Sequence, residues 1–366
     1  MHGTQTKSHL DAGSGGDSLR AMKQTMRAMV AAGFGGPEVL ELQEVPRPSP
    51  GTGEVLVRVR ASSVNPVDTK IRRGALAQLA PDPFIPGCDM AGEVVAAGPD
   101  TPWQAGDRVM ACGGGVKGYP GALAEYQVVD ATLCAPCPPG WAWETAAALP
   151  LVGLTADEGL SRAQVKAGQL VLIHAGAGGV GQMAIQLAKE RGATVWATVS
   201  TDQKAAFARD LGADGVIFYR QETVAAYVER ITGGRGFDVV FDTVGGDNVA
   251  RCFEAVGVSG TVVSISTRTT TDLSPLHAKG ISLHVVFMII PLLYQQAEAR
   301  AAQGRALTRI SESAARGLIR PLLDPHVFPF EQAGAAHALL EGGSAIGKVT
   351  LSGFPDDVPG GSSPLP

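Results

Sequence analysis

In the stretch VLIHAGAGGVGQMAIQLAKERGA, glycines fall at 176, 178 and 181, the G-x-G-x-x-G spacing, directly behind an apolar run and at the start of a helical pattern. Each has a physical reason in that setting. Gly176 permits a tight turn, Gly178 lets the backbone approach a pyrophosphate, and Gly181 lets the helix pack closely on the strand. With Ala177, Gly179 and Val180 between them, the loop aims a helix N-terminus at negative charge, which is the chemistry of dinucleotide binding. About 20 residues further on, where an acidic residue would take the ribose 2′-OH of NAD, the strand ends ATVST. Ser200 and Thr201 occupy that place, and Lys204 is positioned to neutralise a 2′-phosphate. NADPH is therefore expected over NADH, although a solvated helix lysine would also explain Lys204, and a helix N-cap would explain Asp202.

The elements around this loop define the fold class. From about Lys166 onward, apolar runs alternate with amphipathic ones: QLVLIHAG, the glycine-loop helix, ATVWATVS, DQKAAFARDLG, DGVIFYR, ETVAAYVERITGG, FDVVFDTVGG, DNVARCFEAV and GTVVSIST. Such alternation means a doubly wound parallel sheet covered by helices. Before residue 150 the pattern is different: short β-rich runs bounded by Pro and Gly, with EVLVRVRA placing Val55, Val57 and Val59 on one side. The expected class is α/β, a mostly antiparallel β domain (residues 26–150 and 291–352) around a Rossmann domain (151–290), with GKVTLSG returning to the first. Residues 1–25 and 353–366, rich in Gly, Ser and Pro, are expected to be flexible extensions.

Composition narrows the function. The chain has 366 residues, 45% of them hydrophobic and 18% charged, enough for about two cores. A formal charge of -5 and the absence of a Lys/Arg-rich run disfavour nucleic acid. ISLHVVFMIIPLL is too short to span a bilayer, so no membrane association is expected. Five cysteines, an odd number in a long chain, suit reduced thiols and a cytoplasmic protein.

Several segments, in order, resemble the zinc-free quinone oxidoreductase and enone reductase branch of the medium-chain dehydrogenases and reductases: GFGGPEVLEL, PGTGEVLVRVRASSVNPVDTKIRRG, FIPGCDMAGEVVAAG, GDRVMA, GALAEY, AAALPLVGLTA, HAGAGGVG, FDTVGG and GKVTL. The resemblance covers about Met26 to Ser352. It implies that the first domain is GroES-like, that NADPH is the hydride donor, that the cleft lies between the domains, and that the protein is a homodimer.

No metal is expected. A catalytic zinc in the wider superfamily needs Cys, His and Cys, and a structural zinc needs four closely spaced Cys. Here the first region reads SVNPVD, Gly-His-Glu is replaced by Gly87, Cys88 and Asp89, and LPLVGLTA has no Cys. Cys134 and Cys137 form a lone CxxC. Cys88 and Asp89 read as ordinary loop residues. Without a Lewis acid, alkoxide chemistry loses its support, whereas hydride addition to an electron-poor C=C bond or a quinone needs only positioned donors for the charge developing on oxygen.

For those donors the resemblance points to Asn65 and Lys70. Asn65 is similar to the family's cleft asparagine, and Lys70 stands where many relatives have Tyr and where alkenal and enone reductases have Lys. A turn residue before Pro66 would also explain Asn65, an exposed lysine would explain Lys70, and Arg72 or Arg73 could be the cation instead. The resemblance also implies cofactor contacts from Thr155, Tyr219, Asp242, Thr243, Val244, Ser264, Ser266 and Lys348. His174, at a strand end, is expected to be packed rather than catalytic. Phe287, Met288 and Tyr294 are candidates for an apolar cleft wall, which suits a small apolar electrophile (quinone, enone or enal) and argues against highly charged substrates. An enoyl-thioester reductase and an NADPH-binding redox sensor without turnover remain as alternatives.

Overall fold

The computed structural model describes residues 25–356. Of the two extensions expected to be flexible, residues 1–24 and 357–366 lie outside the described residues, and residues 353–356 do not fit that expectation. Phe354 is buried edge-on against Phe330, and Asp356 pairs with Arg58 and Arg60. An aromatic contact and two cations thus hold the Pro/Gly segment to the sheet where it begins.

The first part of the chain supplies β1 (Thr25–Ala31), β2 (Leu40–Pro46), β3 (Glu54–Ser63), β4 (Asp89–Ala97), β5 (Arg108–Cys112), β6 (Tyr126–Asp130) and β7 (Ala135–Pro136). Next come β8 (Leu170–Ile173), β9 (Thr194–Val199), β10 (Gly215–Phe218), β11 (Phe237–Asp242), β12 (Val256–Ser264) and β13 (Ser282–Val285), followed by β14 (Leu323–Pro329) and β15 (Lys348–Ser352). Strands β8 to β13 form a six-stranded parallel sheet in the order β10-β9-β8-β11-β12-β13, the doubly wound order with its switch point between β8 and β11. The apolar runs of the central strands β8 and β11 are buried between helices, as parallel strands require, whereas β13 lies at an exposed edge.

The second sheet has seven strands, ordered β14-β15-β3-β4-β5-β7 with β6 also paired to β3. Its core alternates as the sequence did: Val55, Val57 and Val59 on β3 are buried. Strand β15 closes this sheet antiparallel to β3, pairing Thr350 with Ser63. Helix Pro150–Arg162 packs against the glycine-loop helix Gly179–Glu190, the long helix Ala297–Ala315 and β5, and so joins the two sheets.

Candidate active site

A cleft of about 650 Å³ opens between the two sheets. On one side are the loop Ala175–Val180 and the carboxyl ends of β11 and β12, and on the other the start of helix Pro66–Arg72 and the first residue of β15. Ligands of doubly wound sheets bind in this crevice, outside the carboxyl ends of the strands at the switch point.

The loop has the geometry its glycines suggested. A Cβ on Gly181 would stand 2.2 Å from the carbonyl oxygen of Ala175, and one on Gly176 would stand 2.7 Å from the Cβ of Ala197. Gly178, Gly179 and Val180 face the cleft, whereas Gly176, Ala177 and Gly181 set the turn behind it. Sequence reasoning missed Ala175 and Thr198. Ala175 has a left-handed φ of 50°, which costs a non-glycine residue energy, and Thr198 Oγ1 holds it there by accepting the Ala175 N–H at 2.9 Å. The same hydroxyl lies 3.4 Å from His174 Nδ1, and burial keeps that ring neutral, its pKa lowered to about 4. His174 is a packed residue, as expected. The cradle fits a dinucleotide pyrophosphate.

Other expected cofactor positions divide into two groups. Thr155, Thr243, Val244 and Ser266 line the cleft, whereas Asp242 and Ser264 are fully buried beside it. Asp242 accepts hydrogen bonds from the N–H groups of Val244 and Gly245, from Asn248 and from the Ser264 hydroxyl. These two residues shape the turn after β11 rather than presenting their own atoms to the cleft. Ser200, Thr201, Lys204 and Tyr219 lie outside the cleft lining, at the β9–β10 end of the sheet. Thr201 caps the helix Asp202–Asp210 by accepting the Lys204 N–H, and Tyr219 is 44% exposed.

On the opposite wall, β3, β4 and β15 bring their ends together because Asp89 pairs with Ser63 and Ser63 with Thr350. The result is a buried polar knot that the sequence did not reveal. Asp89 opens β4 and is completely buried, so the reading of it as an ordinary loop residue is corrected. Its Oδ2 accepts from Ser63 Oγ and from Asn65 Nδ2, both at 2.8 Å, and its Oδ1 accepts the Leu151 N–H at 2.8 Å. Lys348 Nζ donates to Asn65 Oδ1 at 2.5 Å and to the Val64 carbonyl at 3.1 Å, and lies 3.4 Å from Asp89. Lys348, expected to meet cofactor phosphates, is 3% exposed with its ammonium turned to this carboxylate. Behind it, Asp68 accepts the N–H groups of Asn65 and Cys88, and burial raises its pKa to about 6.

Lys70 projects from the same helix into the cleft and is half-buried. Burial, then the charges of Arg268 and Arg73, hold its ammonium below the ordinary lysine range. Neither rival cation lines the cleft: Arg72 is fully buried and, like Arg73, pairs with Glu341. Of the three wall candidates, Phe287 and Met288 line the cleft with Val285, Val286 and Ile289. Tyr294 does not. It follows a one-turn helix and is 73% exposed, so it is removed from the cleft wall.

The donor set does not suit zinc. Both oxygens of Asp89 are already satisfied by protein donors, a hydrogen bond with Cys112 and then burial raise the Cys88 thiol, burial raises the Cys112 thiol against the pull of that same bond, and no group of three His, Cys, Asp or Glu among the described residues could hold a metal. In the CxxC pair, burial pushes Cys137 up to about 12 and raises Cys134 as well. Among the described residues no helix is long and apolar enough to cross a membrane.

Comparison with known proteins agrees with this geometry. Residues 51–139 match the family described as the alcohol dehydrogenase GroES-like domain, and residues 179–303 match that described as zinc-binding dehydrogenase. An NADPH-dependent alkenal/one oxidoreductase of Arabidopsis thaliana is 34% identical over 92% of this chain and 81% of its own length. A quinone oxidoreductase of Pseudomonas aeruginosa is 36% identical, over 87% of this chain and 97% of its own. The crystal structure of an alcohol dehydrogenase superfamily protein from Novosphingobium aromaticivorans superposes with a TM-score of 0.85 at 39% identity, covering 90% of this chain and 99% of that one. The two-sheet architecture, the dinucleotide cradle and these relatives together establish that the chain is an oxidoreductase belonging to the medium-chain dehydrogenase/reductase superfamily, alongside its quinone and alkenal/one oxidoreductases.

Proposed function

We propose that this enzyme is an NADPH-dependent, zinc-independent reductase of quinones or of the C=C bond of α,β-unsaturated carbonyls. The observation that carries this reading is a cleft in which the glycine cradle faces Lys70 across an apolar wall, with no metal-ligand set among the described residues. Bound in the cradle, the nicotinamide would supply the hydride. The protein's part is to seat an apolar acceptor against Val285–Ile289 and to stabilise the charge that develops on its carbonyl oxygen. Lys70 does the latter, as a half-buried ammonium with no protein partner among the described residues, in a site where water screens it weakly. Asn65 acts at one remove: with its amide tied to Asp89 and Lys348, it fixes the start of the helix that carries Lys70. The lack of an acidic residue at Ser200 supports NADPH over NADH, as does the name of the alkenal/one oxidoreductase relative.

The five free, buried thiols suit a reducing cytoplasm. The exposed edge strand β13, with Val285 at 44% exposure, suits pairing with a second copy into a homodimer, and a monomer in sedimentation equilibrium would refute that part. The activity is tested by following NADPH oxidation at 340 nm with 1,4-quinones, 2-alkenals, cyclic enones and a crotonyl thioester, with and without a chelator. Chelator-resistant turnover of a quinone, enal or enone is expected. Tight NADPH binding with no turnover of any acceptor would replace this reading with that of a sensor.

A further inference from the structure

The charges lining the cleft all have one sign. Among the described residues, the lining contains Lys70, Arg268 and Lys348 and no carboxylate, in a protein whose formal charge is -5. Lys348 is neutralised by Asp89 within its own wall. Lys70 and Arg268 form no side-chain hydrogen bond or ion pair with any described residue, although Arg73, next to the same helix, finds Glu341. The two come from opposite walls, Lys70 from the helix after β3 and Arg268 from the loop after β12, and Arg268 is near enough to depress the Lys70 ammonium. Two like charges held unpaired over one cavity repel each other, and an anion between them turns that cost into binding energy.

The cofactor's pyrophosphate does not account for this pair. It belongs at the N-terminus of helix Gly179–Glu190, after β8, with the adenosine side toward β9 and β10. Arg268 follows β12, two strands to the other side of β8, in the half of the crevice left to the reacting groups. The neighbouring surface is apolar, from Val285 to Ile289 together with Leu76 and Leu340. We propose that Arg268 forms a carboxylate subsite on the wall opposite Lys70, and that the preferred acceptors are short α,β-unsaturated carbonyl compounds bearing one carboxylate. The apolar wall takes the carbon chain, Arg268 takes the acid, and Lys70 keeps the carbonyl oxygen. This narrows the expectation that charged substrates are disfavoured: one negative charge is accommodated, at one end. The inference rests on reading the cleft as an acceptor site.

The test compares trans-4-oxo-2-pentenoate with its neutral counterpart 3-penten-2-one in wild type, Arg268→Gln and Arg268→Lys. The ratio of kcat/KM for acid over neutral enone should fall about tenfold or more in Arg268→Gln, the loss of one charge-assisted hydrogen bond, and recover in Arg268→Lys. The Kd for NADPH, read by fluorescence titration, should change less than twofold. An unchanged ratio overturns the proposal, and so does a rise in the NADPH Kd that matches the fall in ratio, which would assign Arg268 to the cofactor phosphates. Calorimetric binding of butyrate to the NADP⁺-loaded protein decides the point even if no acceptor is reduced. Binding by wild type that is lost in Arg268→Gln supports the subsite, and no binding by wild type refutes it, whatever the fate of the reductase reading.

Discussion

Replacing Lys348 by Met would remove the only cation in the buried knot while keeping most of the volume of its stem. Asp89 would retain three donors, Ser63 Oγ, Asn65 Nδ2 and the Leu151 N–H, but would lose its counter-charge at a position with no exposure to water. Removing one partner of a buried pair typically costs about 3–5 kcal/mol, and the three remaining donors place this case at the lower end, about 3 kcal/mol. Unfolding entropy of roughly 2.1 cal/mol/K per residue over about 330 ordered residues converts this to a fall in Tm of about 4 °C. Scanning calorimetry at pH 7 would read it. The companion variant Asp89→Asn/Lys348→Met removes both charges, so its loss should be smaller than the sum of the two single losses by at least about 1 kcal/mol. A single variant that loses under about 1 kcal/mol, or a double variant that is strictly additive, would refute the view that the two charges are coupled.

Two further outcomes follow from the site. Gly181→Ala places a methyl group 2.2 Å from the Ala175 carbonyl, which is backbone and cannot give way, so NADPH affinity should fall at least about tenfold, whereas Gly179→Ala, meeting only side-chain carbons at 3.1 and 3.3 Å, should fall far less; equal losses in fluorescence titration would mean that this contact does not set the loop. Asp68, raised to about 6 by burial against 3.8 when exposed, holds its proton more tightly folded than unfolded, so its contribution to stability is complete below pH ~4 and is lost as the pH rises through 6. The unfolding free energy of wild type minus that of Asp68→Asn should therefore decline by on the order of 2 kcal/mol across that window, and a flat difference in urea titrations would sink the argument.

What could be read from the sequence was local. The alternation of strand and helix from Leu170 to Ser264, and the turn of Gly176 to Gly181, are periodicities within 3 to 20 residues, and they located the parallel sheet and its cradle. The polar knot was invisible because Asn65 and Lys348 are 283 residues apart and nothing near either one announces the other. The hydroxyl and carboxyl groups at the strand ends sit beside the crevice, but residue type alone does not say whether they face it, and Asp242 and Ser264 are turned inward. The apolar run that holds Phe287, Met288 and Tyr294 has no period that distinguishes wall from surface. Arg268 drew no attention because its significance lies in what it lacks, a partner, and in facing Lys70 from the other wall.

The pairing of β15 with β3 also sets an order of events. Strands β8 to β13 are contiguous in sequence, so the parallel sheet can assemble while later residues are still being synthesised. The other sheet must wait: at 5–20 residues per second, about 15 to 60 s separate the emergence of Asn65 from that of Lys348. Throughout that interval Asp89 has no counter-charge, and the edge of β3 that β15 will cover stands open to the ribosome surface and to passing chains. The cradle therefore matures early on the nascent polypeptide, and the acceptor side of the cleft is completed only when its lysine arrives.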